Sequence, residues 1–223
     1  MKNVISERLN FINKSIAPYK PIIVAVTKYF DESGIKDYYN LGLRDFGENR
    51  VQDALAKIKK LPEEIRKNSR FHLIGHLQTN KVKDVVGVFE LIHSVDSYKL
   101  ASAISQEAKR KGIVQKILLQ VNNANEEQKF GFAPEELLSN MSELLLLPNI
   151  QIEGLMNIAP LSQDNNYLRN LFKNISLLKD KIQLEYKVKL PHLSMGMSND
   201  YRIALEEGST IIRLGRILFK EII

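Results

Sequence analysis

The chain of 223 residues contains no cysteine. Disulfides, thiol catalysis and cysteine-ligated metals are therefore excluded. No apolar run approaches the roughly 20 residues that a membrane-spanning helix requires, so no membrane partner is expected. The N-terminus, Met1-Lys-Asn-Val-Ile-Ser-Glu-Arg8, lacks a long apolar core and reads as an amphipathic helix rather than a secretion signal. A cytoplasmic location follows as the expectation. Glycine (11) and proline (7) are scattered, and no low-complexity tract or fixed repeat appears. With 44% hydrophobic residues and no break in composition, residues 1–223 are expected to bury one core as one domain.

Charge is in modest positive excess, +6 at neutral pH. Lysines gather at Lys57-Ile-Lys-Lys60 and Lys109-Arg-Lys111, which read as exposed helix faces and ends where cations complement the dipole. No segment interleaves basic and aromatic residues as nucleic-acid modules do, so no nucleic-acid partner is expected.

What the chain does have is strand and helix in strict alternation. Strand-like runs fall at Ile22–Thr27, Arg44–Phe46, Phe71–Ile74, Leu91–Ser94, Lys116–Asn122, Ile150–Asn157, His192–Met195 and Thr210–Leu214. Between them lie helical patterns. Asp31 caps a helix ending near Gly42, and Val51, Leu55 and Ile58 share one helical face. Leu100, Ile104 and Ala108 share another, stopped by Gly112. Pro134 opens a helix with Glu135 and Glu136 behind it. Leu168, Leu171, Ile175, Leu178 and Ile182 form the longest apolar stripe. Alternation of this kind implies a parallel sheet. Eight units in a little over 200 residues fit an α/β fold of the (β/α)8 barrel type, with an extra N-terminal helix carrying Ile5, Leu9, Ile12 and Ile16. An open doubly wound sheet is the alternative, and no glycine-rich dinucleotide fingerprint follows the first strand to support it.

In a barrel, chemistry collects where strands end. Lys28 follows the first strand, Gly47-Glu-Asn49 the second and Gly75-His-Leu-Gln-Thr-Asn80 the third. Ser194-Met-Gly-Met-Ser198 follows the seventh, where Gly196 permits close backbone approach and Ser198 stands at the N-cap of a helix over Asn199–Glu207. Ser209 and Thr210 add hydroxyls before the last strand, and Gly215 opens the loop after it. Small, hydroxyl-rich turns on the last two strands match the phosphate site of barrel enzymes. An imine-forming lysine needs a desolvated amine and a carbonyl held nearby. An amine opposite a phosphate cradle therefore points to a phosphorylated aldehyde held as an imine, with pyridoxal phosphate (PLP) the foremost candidate.

Arg213 sits inside an apolar strand on the side of Ile211. It either pairs with a carboxylate or donates to a pyridine nitrogen, leaving that nitrogen unprotonated and the ring a weak electron sink. His72 and His76 have metal-compatible spacing, but no carboxylate lies near them in sequence to complete a set, so no metal is expected. Glu48 reads as a cap for the next helix, and Asn49 either caps or contacts the ligand.

The chain resembles the pyridoxal phosphate homeostasis protein family, whose fold is similar to the N-terminal barrel of alanine racemase. The matching stretches are IIVAVTK ending at Lys28, FGENRVQDALAK from Phe46, FHLIGHLQTNK from Phe71 and IHSVDS from Ile92. LLQVNNANEEQKFGF from Leu118, GLMNIAP from Gly154 and LSMGMSNDYRIALEEGSTIIRLG from Leu193 complete them. The resemblance implies Lys28 as the imine lysine and phosphate contacts from Ser194, Gly196, Met197 and Ser198. It adds Ser209, Thr210 and Gly215 to those contacts, with Arg213 at the pyridine nitrogen and Asn49 and His76 near the cofactor. Arg50 stands where the family has an aromatic residue, Phe130 where it has a smaller or polar one, and the end Gly215–Lys220 is more basic than usual.

A racemase needs two bases, one on each face of the substrate carbon. The resemblance implies that the second, a tyrosine, comes from another domain of the partner subunit, and this chain stops just past its last strand. A PLP carrier with negligible catalysis, delivering cofactor to PLP-dependent apoenzymes and acting as a monomer, is therefore the expected function. A PLP-dependent amino-acid racemase is the alternative.

Overall fold

The structure, a computed structural model, describes residues 2–124 and 130–219, the side chains of 2–4 excepted. The residues at 125–129 of the LLQVNNANEEQKFGF stretch, and Lys220, lie outside those described. Eight strands run β1 (Ile22–Val26), β2 (Asp45–Glu48), β3 (Arg70–Leu73), β4 (Leu91–Val95), β5 (Gln115–Val121), β6 (Ile150–Asn157), β7 (His192–Ser194) and β8 (Ile211–Leu214). Each pairs in parallel with the next, and β8 pairs with β1, so the sheet closes. This is the (β/α)8 barrel that the alternation predicts.

Local signals set the helices as expected. Asp31 caps the helix Glu32–Asn40 by accepting from Ser33 N. Gly112 takes the left-handed conformation that ends Tyr98–Lys111 (φ 66°), and Pro134 opens Pro134–Leu146. The stripe Leu168, Leu171, Ile175, Leu178, Ile182 is buried, with Phe172 beside it, along Asn165–Tyr186. The helix Lys2–Ser15 precedes β1 and buries Leu9 and Ile12. Each such side chain contributes roughly 1.5–3 kcal/mol of gross burial energy.

The apolar core has two layers. The larger lies between strands and helices, and a smaller cluster of Val24, Leu91, Leu118, Met156 and Ile211 fills the barrel interior. Residues two apart on a strand share a face. His93, Gln120 and Arg213 therefore follow Leu91, Leu118 and Ile211 on the inner face, placing a polar layer above the apolar one.

Parallel strands gather all their C-terminal ends at one mouth, here called the upper. Lys28, Glu48, Asn49, Gly75, the turn over 195–198 and Gly215 all stand there. Ser209 and Thr210 do not. They precede β8 and belong to the lower mouth, where Ile22 N donates to Thr210 O (2.9 Å) at the start of β1. Lys28 is six residues further along, about 20 Å at 3.3 Å per residue. Both hydroxyls are engaged with the backbone of β7 and the residue after it, Ser209 Oγ with Met195 O (2.7 Å) and Thr210 Oγ1 with Leu193 N (2.9 Å).

Candidate functional site

Lys28 is the second residue beyond β1. Its amine lies 5.0 Å from the Tyr29 ring centroid and has no hydrogen bond or ion pair among the described residues. It lines a cavity of about 250 Å³ with Tyr29, Glu48, Asn49, Arg50 and Asp53. The side chain is exposed, so the desolvation that the sequence reading asks for is not supplied by the chain alone. Below it the packing is polar and tight. Lys57 Nζ donates to Glu48 Oε1 (2.5 Å) and Thr27 O (2.9 Å), and Thr27 Oγ1 donates to the same Glu48 oxygen (2.6 Å). Glu48 is 1% exposed, and its Oε2 has no hydrogen-bond partner among the described residues. Glu48 thus caps no helix; it is the buried anchor of β2. Lys57 is not on an exposed helix face either, but buried.

Barrel closure brings the last strand to Lys28. Val24 pairs with Arg213 and Ala25 with Leu214, and a Cβ on Gly215 would stand 3.5 Å from Val26 Cβ. Arg213 points into the polar layer. Its Nη1 donates to Ser194 O (2.6 Å) and Ser194 Oγ (2.7 Å), and its Nη2 donates to Asn157 O (2.8 Å). Among the described residues no carboxylate pairs with it. Burial lowers its pKa to about 10, with the field of Asp200 opposing, so it remains a cation and a donor at neutral pH. Asn157 Nδ2 donates to Asn123 Oδ1 (2.7 Å), fixing the carbonyl that Arg213 uses.

Ser194 is fully buried beside this guanidinium. Its hydroxyl also lies 2.9 Å from His93 Nδ1. It belongs to the barrel interior and not to the rim turn, because strand alternation turns it inward. Gly196 takes φ 93°, and a Cβ there would meet Ala204 Cβ at 2.7 Å. That close approach lets the helix Tyr201–Glu206 fold back on the turn. This helix starts two residues later than expected, after Asp200. Ser198 is therefore not its N-cap; its hydroxyl accepts from Ile217 N (3.3 Å), tying the turn after β7 to the segment after β8. Met197 N donates to Asp200 Oδ1 (2.5 Å). Burial raises the Asp200 pKa, against hydrogen bonds that lower it. Met197, Asp200 and Arg216 line a second cavity, also about 250 Å³. The two cavities lie just under the usual 300–1,000 Å³ for small-ligand sites.

Ser209 Oγ donates within the backbone, closest to Met195 O (2.7 Å), and Thr210 Oγ1 accepts from Leu193 N (2.9 Å). Both stitch β7 to β8. His76 stacks on Phe130 (centroids 3.7 Å, 13°) and its Nδ1 lies 3.0 Å from Asp96 Oδ2. His72 Nε2 lies 3.0 Å from Asp45 Oδ1. Each histidine thus has a carboxylate that sequence proximity did not show. Among the described residues no cluster of three or more metal-ligating side chains is present. Asn49 lines the Lys28 cavity. Its carbonyl passes so close to Gly75 that a side chain there has no room.

Glu48, Lys57, His93 and Asn157 are site-supporting residues that the sequence reading missed. Lys57 carried a legible signal: Ala54, Lys57 and Leu61 share the i, i+3, i+7 stripe that is buried here. Among the described residues no helix is long and apolar enough to cross a membrane.

Comparison with known proteins matches residues 4–222 to the alanine racemase N-terminal domain. The pyridoxal phosphate homeostasis protein of Aquifex aeolicus (strain VF5) is 43% identical over 199 residues, covering 89% of this chain and 86% of that protein. Its counterpart in Synechocystis sp. is 40% identical over 197 residues, covering 88% and 89%. Among solved structures, PipY of Synechococcus elongatus PCC7942 with PLP bound superposes with a TM-score of 0.86 at 36% identity, over 96% of this chain and 99% of that one. An alanine racemase from Clostridium difficile 630 superposes at 0.77 with 18% identity, over 98% of this chain and 57% of that one, a likeness of fold alone.

Proposed function

Because the chain belongs to the pyridoxal phosphate homeostasis protein family, we propose that it binds PLP at the upper mouth of its barrel, held as an imine on Lys28. It would act in the cytoplasm as a monomer that buffers the cofactor and passes it to PLP-dependent apoenzymes. The observation that carries this reading is Arg213. A buried guanidinium is normally matched by a carboxylate. This one is held by two carbonyls and a hydroxyl, and so remains a donor for an electron-rich ring nitrogen.

The remaining residues fit the same cofactor. Lys28 offers an amine with no competing partner among the described residues, and its condensation with an aldehyde expels water and forms a carbon–nitrogen double bond. Bound PLP supplies the aldehyde and an aromatic electron sink. Ser198, Gly196, Met197 and Gly215 frame the rim opposite Lys28 and would take the phosphate, with Ser198 as its hydroxyl donor. Ser194 would act through Arg213, while Asn49 and His76 face the ring and the rim. Ser209 and Thr210 are not carried into the site, because both hydroxyls are taken up by backbone groups of β7 and Met195. Arg213, protonated, would donate to the ring nitrogen and leave it unprotonated, which would weaken carbanion stabilisation and favours a carrier over a racemase.

The test is intact mass after borohydride reduction of protein purified with PLP, followed by peptide mapping. One reduced adduct on the Lys28 peptide is expected, absent in Lys28→Ala. An adduct spread over surface lysines, or D-amino acid formation at enzymatic rates, would overturn the reading.

A further inference from the structure

A single file of buried side chains runs from the lower mouth to Arg213. Asp45 Oδ1 lies 3.0 Å from His72 Nε2, and His72 Nδ1 lies 3.0 Å from His93 Nε2. His93 Nδ1 lies 2.9 Å from Ser194 Oγ, which accepts from Arg213 Nη1 at 2.7 Å. Both nitrogens of both rings are used, and none of the five residues is more than 7% exposed.

Donor and acceptor capacity fixes the direction of this file. A guanidinium only donates, and a neutral imidazole has one donor nitrogen and one acceptor. Ser194 Oγ accepts from Arg213, so its own hydrogen is free for His93 Nδ1. His93 Nε2–H then donates to His72 Nδ1, and His72 Nε2–H donates to the Asp45 carboxylate. All bonds point from arginine to aspartate, and no two acceptors face each other. A proton added to His72 turns its Nδ1 into a donor. His93 must then accept at Nε2 and donate at Nδ1, so Ser194 Oγ receives two donors and its hydrogen turns away. One proton at His72 reverses the file up to Arg213.

We propose that His72 and His93 are positioning residues for Arg213. The protonation state of His72 at the lower mouth sets the His93 tautomer and the Ser194 hydroxyl direction, and so sets how Arg213 donates to the cofactor ring at the upper mouth. This rests on the PLP reading above. Two further observations support it. His93 is buried completely, and burial first, then the fields of His72, Arg213 and His192, holds its pKa well below the ordinary value. It therefore changes tautomer rather than charge. His72 also lines a lower cavity of about 90 Å³, large enough to admit water to that end of the file.

Charged groups from the surrounding strands face that cavity. Arg70 forks onto Asp45 with two bonds of 2.6 Å, holding the carboxylate that receives the file. Lys116 pairs with Glu90 at 2.6 Å. Glu153 and His192 close the wall. None of these groups hydrogen-bonds to His72, and Arg70 acts on it only through Asp45, so among the described residues Asp45 and His93 are its direct partners.

The chain has only four histidines, so their ring nitrogens can be resolved by nitrogen-detected NMR on cofactor-free protein, assigned with His72→Asn and His93→Gln. As the pH is lowered, His93 is expected to exchange its Nε2–H form for its Nδ1–H form without becoming charged. In PLP-loaded protein the absorption band of the imine should shift over the same pH interval, and the shift should be lost in His72→Asn. A His93 tautomer that stays fixed, or a band that titrates equally in His72→Asn, overturns the relay while leaving PLP binding intact. Wild-type protein that takes up no PLP overturns the functional reading instead, and the cofactor-free tautomer scan still decides the relay.

Discussion

Lys57 Nζ and Glu48 Oε1 stand 2.5 Å apart under the floor of the Lys28 cavity, and the same ammonium donates to the carbonyl of Thr27 at 2.9 Å. One cation thereby binds β2, the end of β1 and the helix Val51–Lys60 at the residue just before the proposed imine lysine. Removing one partner of a buried pair leaves the other charge uncompensated, which costs about 3–5 kcal/mol. Lys57→Met is expected to lose stability on that scale in urea titrations. Adding Glu48→Gln should return most of the loss. If the double variant is no more stable than Lys57→Met alone, the pair is not what holds this corner.

Much of the barrel was legible because a strand buried on both faces must be apolar nearly throughout. Ile22–Val26 shows this plainly. The short, polar β2 (Asp45–Glu48) was read as Arg44–Phe46, one residue early at its start and two short at its end, because it buries a carboxylate at each end. The lower-mouth position of Ser209 and Thr210 was also available from sequence, since residues before and after a parallel strand occupy opposite ends. What sequence could not show is the interior file. His72, His93, Ser194 and Arg213 come from four strands and meet only because the barrel closes to a fixed radius. The inward turn of Ser194 was hidden for the same reason, as was Lys57's partner nine residues away.

Gly196 tests the rim turn. Its φ of 93° is left-handed, and an added Cβ would press on Ala204 Cβ at 2.7 Å. Gly196→Ala combines backbone strain with a clash against a packed helix, each of order 1–3 kcal/mol. A fall in thermal midpoint and weaker PLP uptake are expected together, because the turn also carries Ser198. Retained stability with lost uptake would mean that the glycine serves ligand approach alone.

Ser198→Ala and Ser209→Ala separate the two mouths. Ser209 donates to a backbone carbonyl (2.7 Å) between β7 and β8, so Ser209→Ala should cost about 1–3 kcal/mol for the buried acceptor left without its donor. Its PLP affinity should stay within twofold of wild type. Ser198→Ala should leave urea stability within about 0.5 kcal/mol and weaken PLP binding by roughly tenfold, one charge-assisted hydrogen bond at about 1.4 kcal/mol per decade. Equilibrium dialysis reads both. The opposite pattern would return Ser209 to the site.

Acid should weaken the fold before its carboxylates titrate. His93 is held below its ordinary value of about 6.5 by burial, and His192, half-buried, moves the same way. Below pH 6.5 the unfolded chain gains protons that folded His93 refuses, so its stabilising contribution is complete above that pH and is lost as pH falls. The slope is up to about 1.4 kcal/mol per pH unit for one proton. Asp45 is also depressed, by its bonds from His72 and Arg70 overcoming burial, but its loss begins only near its ordinary value of about 3.9. Asp200 is raised by burial and works in the opposite sense, taking a proton in the folded state. Urea midpoints measured from pH 8 to pH 5 should therefore fall in wild type, and fall distinctly less in His93→Gln, which keeps a donor and an acceptor without a titrating ring. Parallel profiles in the two proteins would show that His93 is protonated inside the barrel, and that the polar layer carries a second charge beside Arg213.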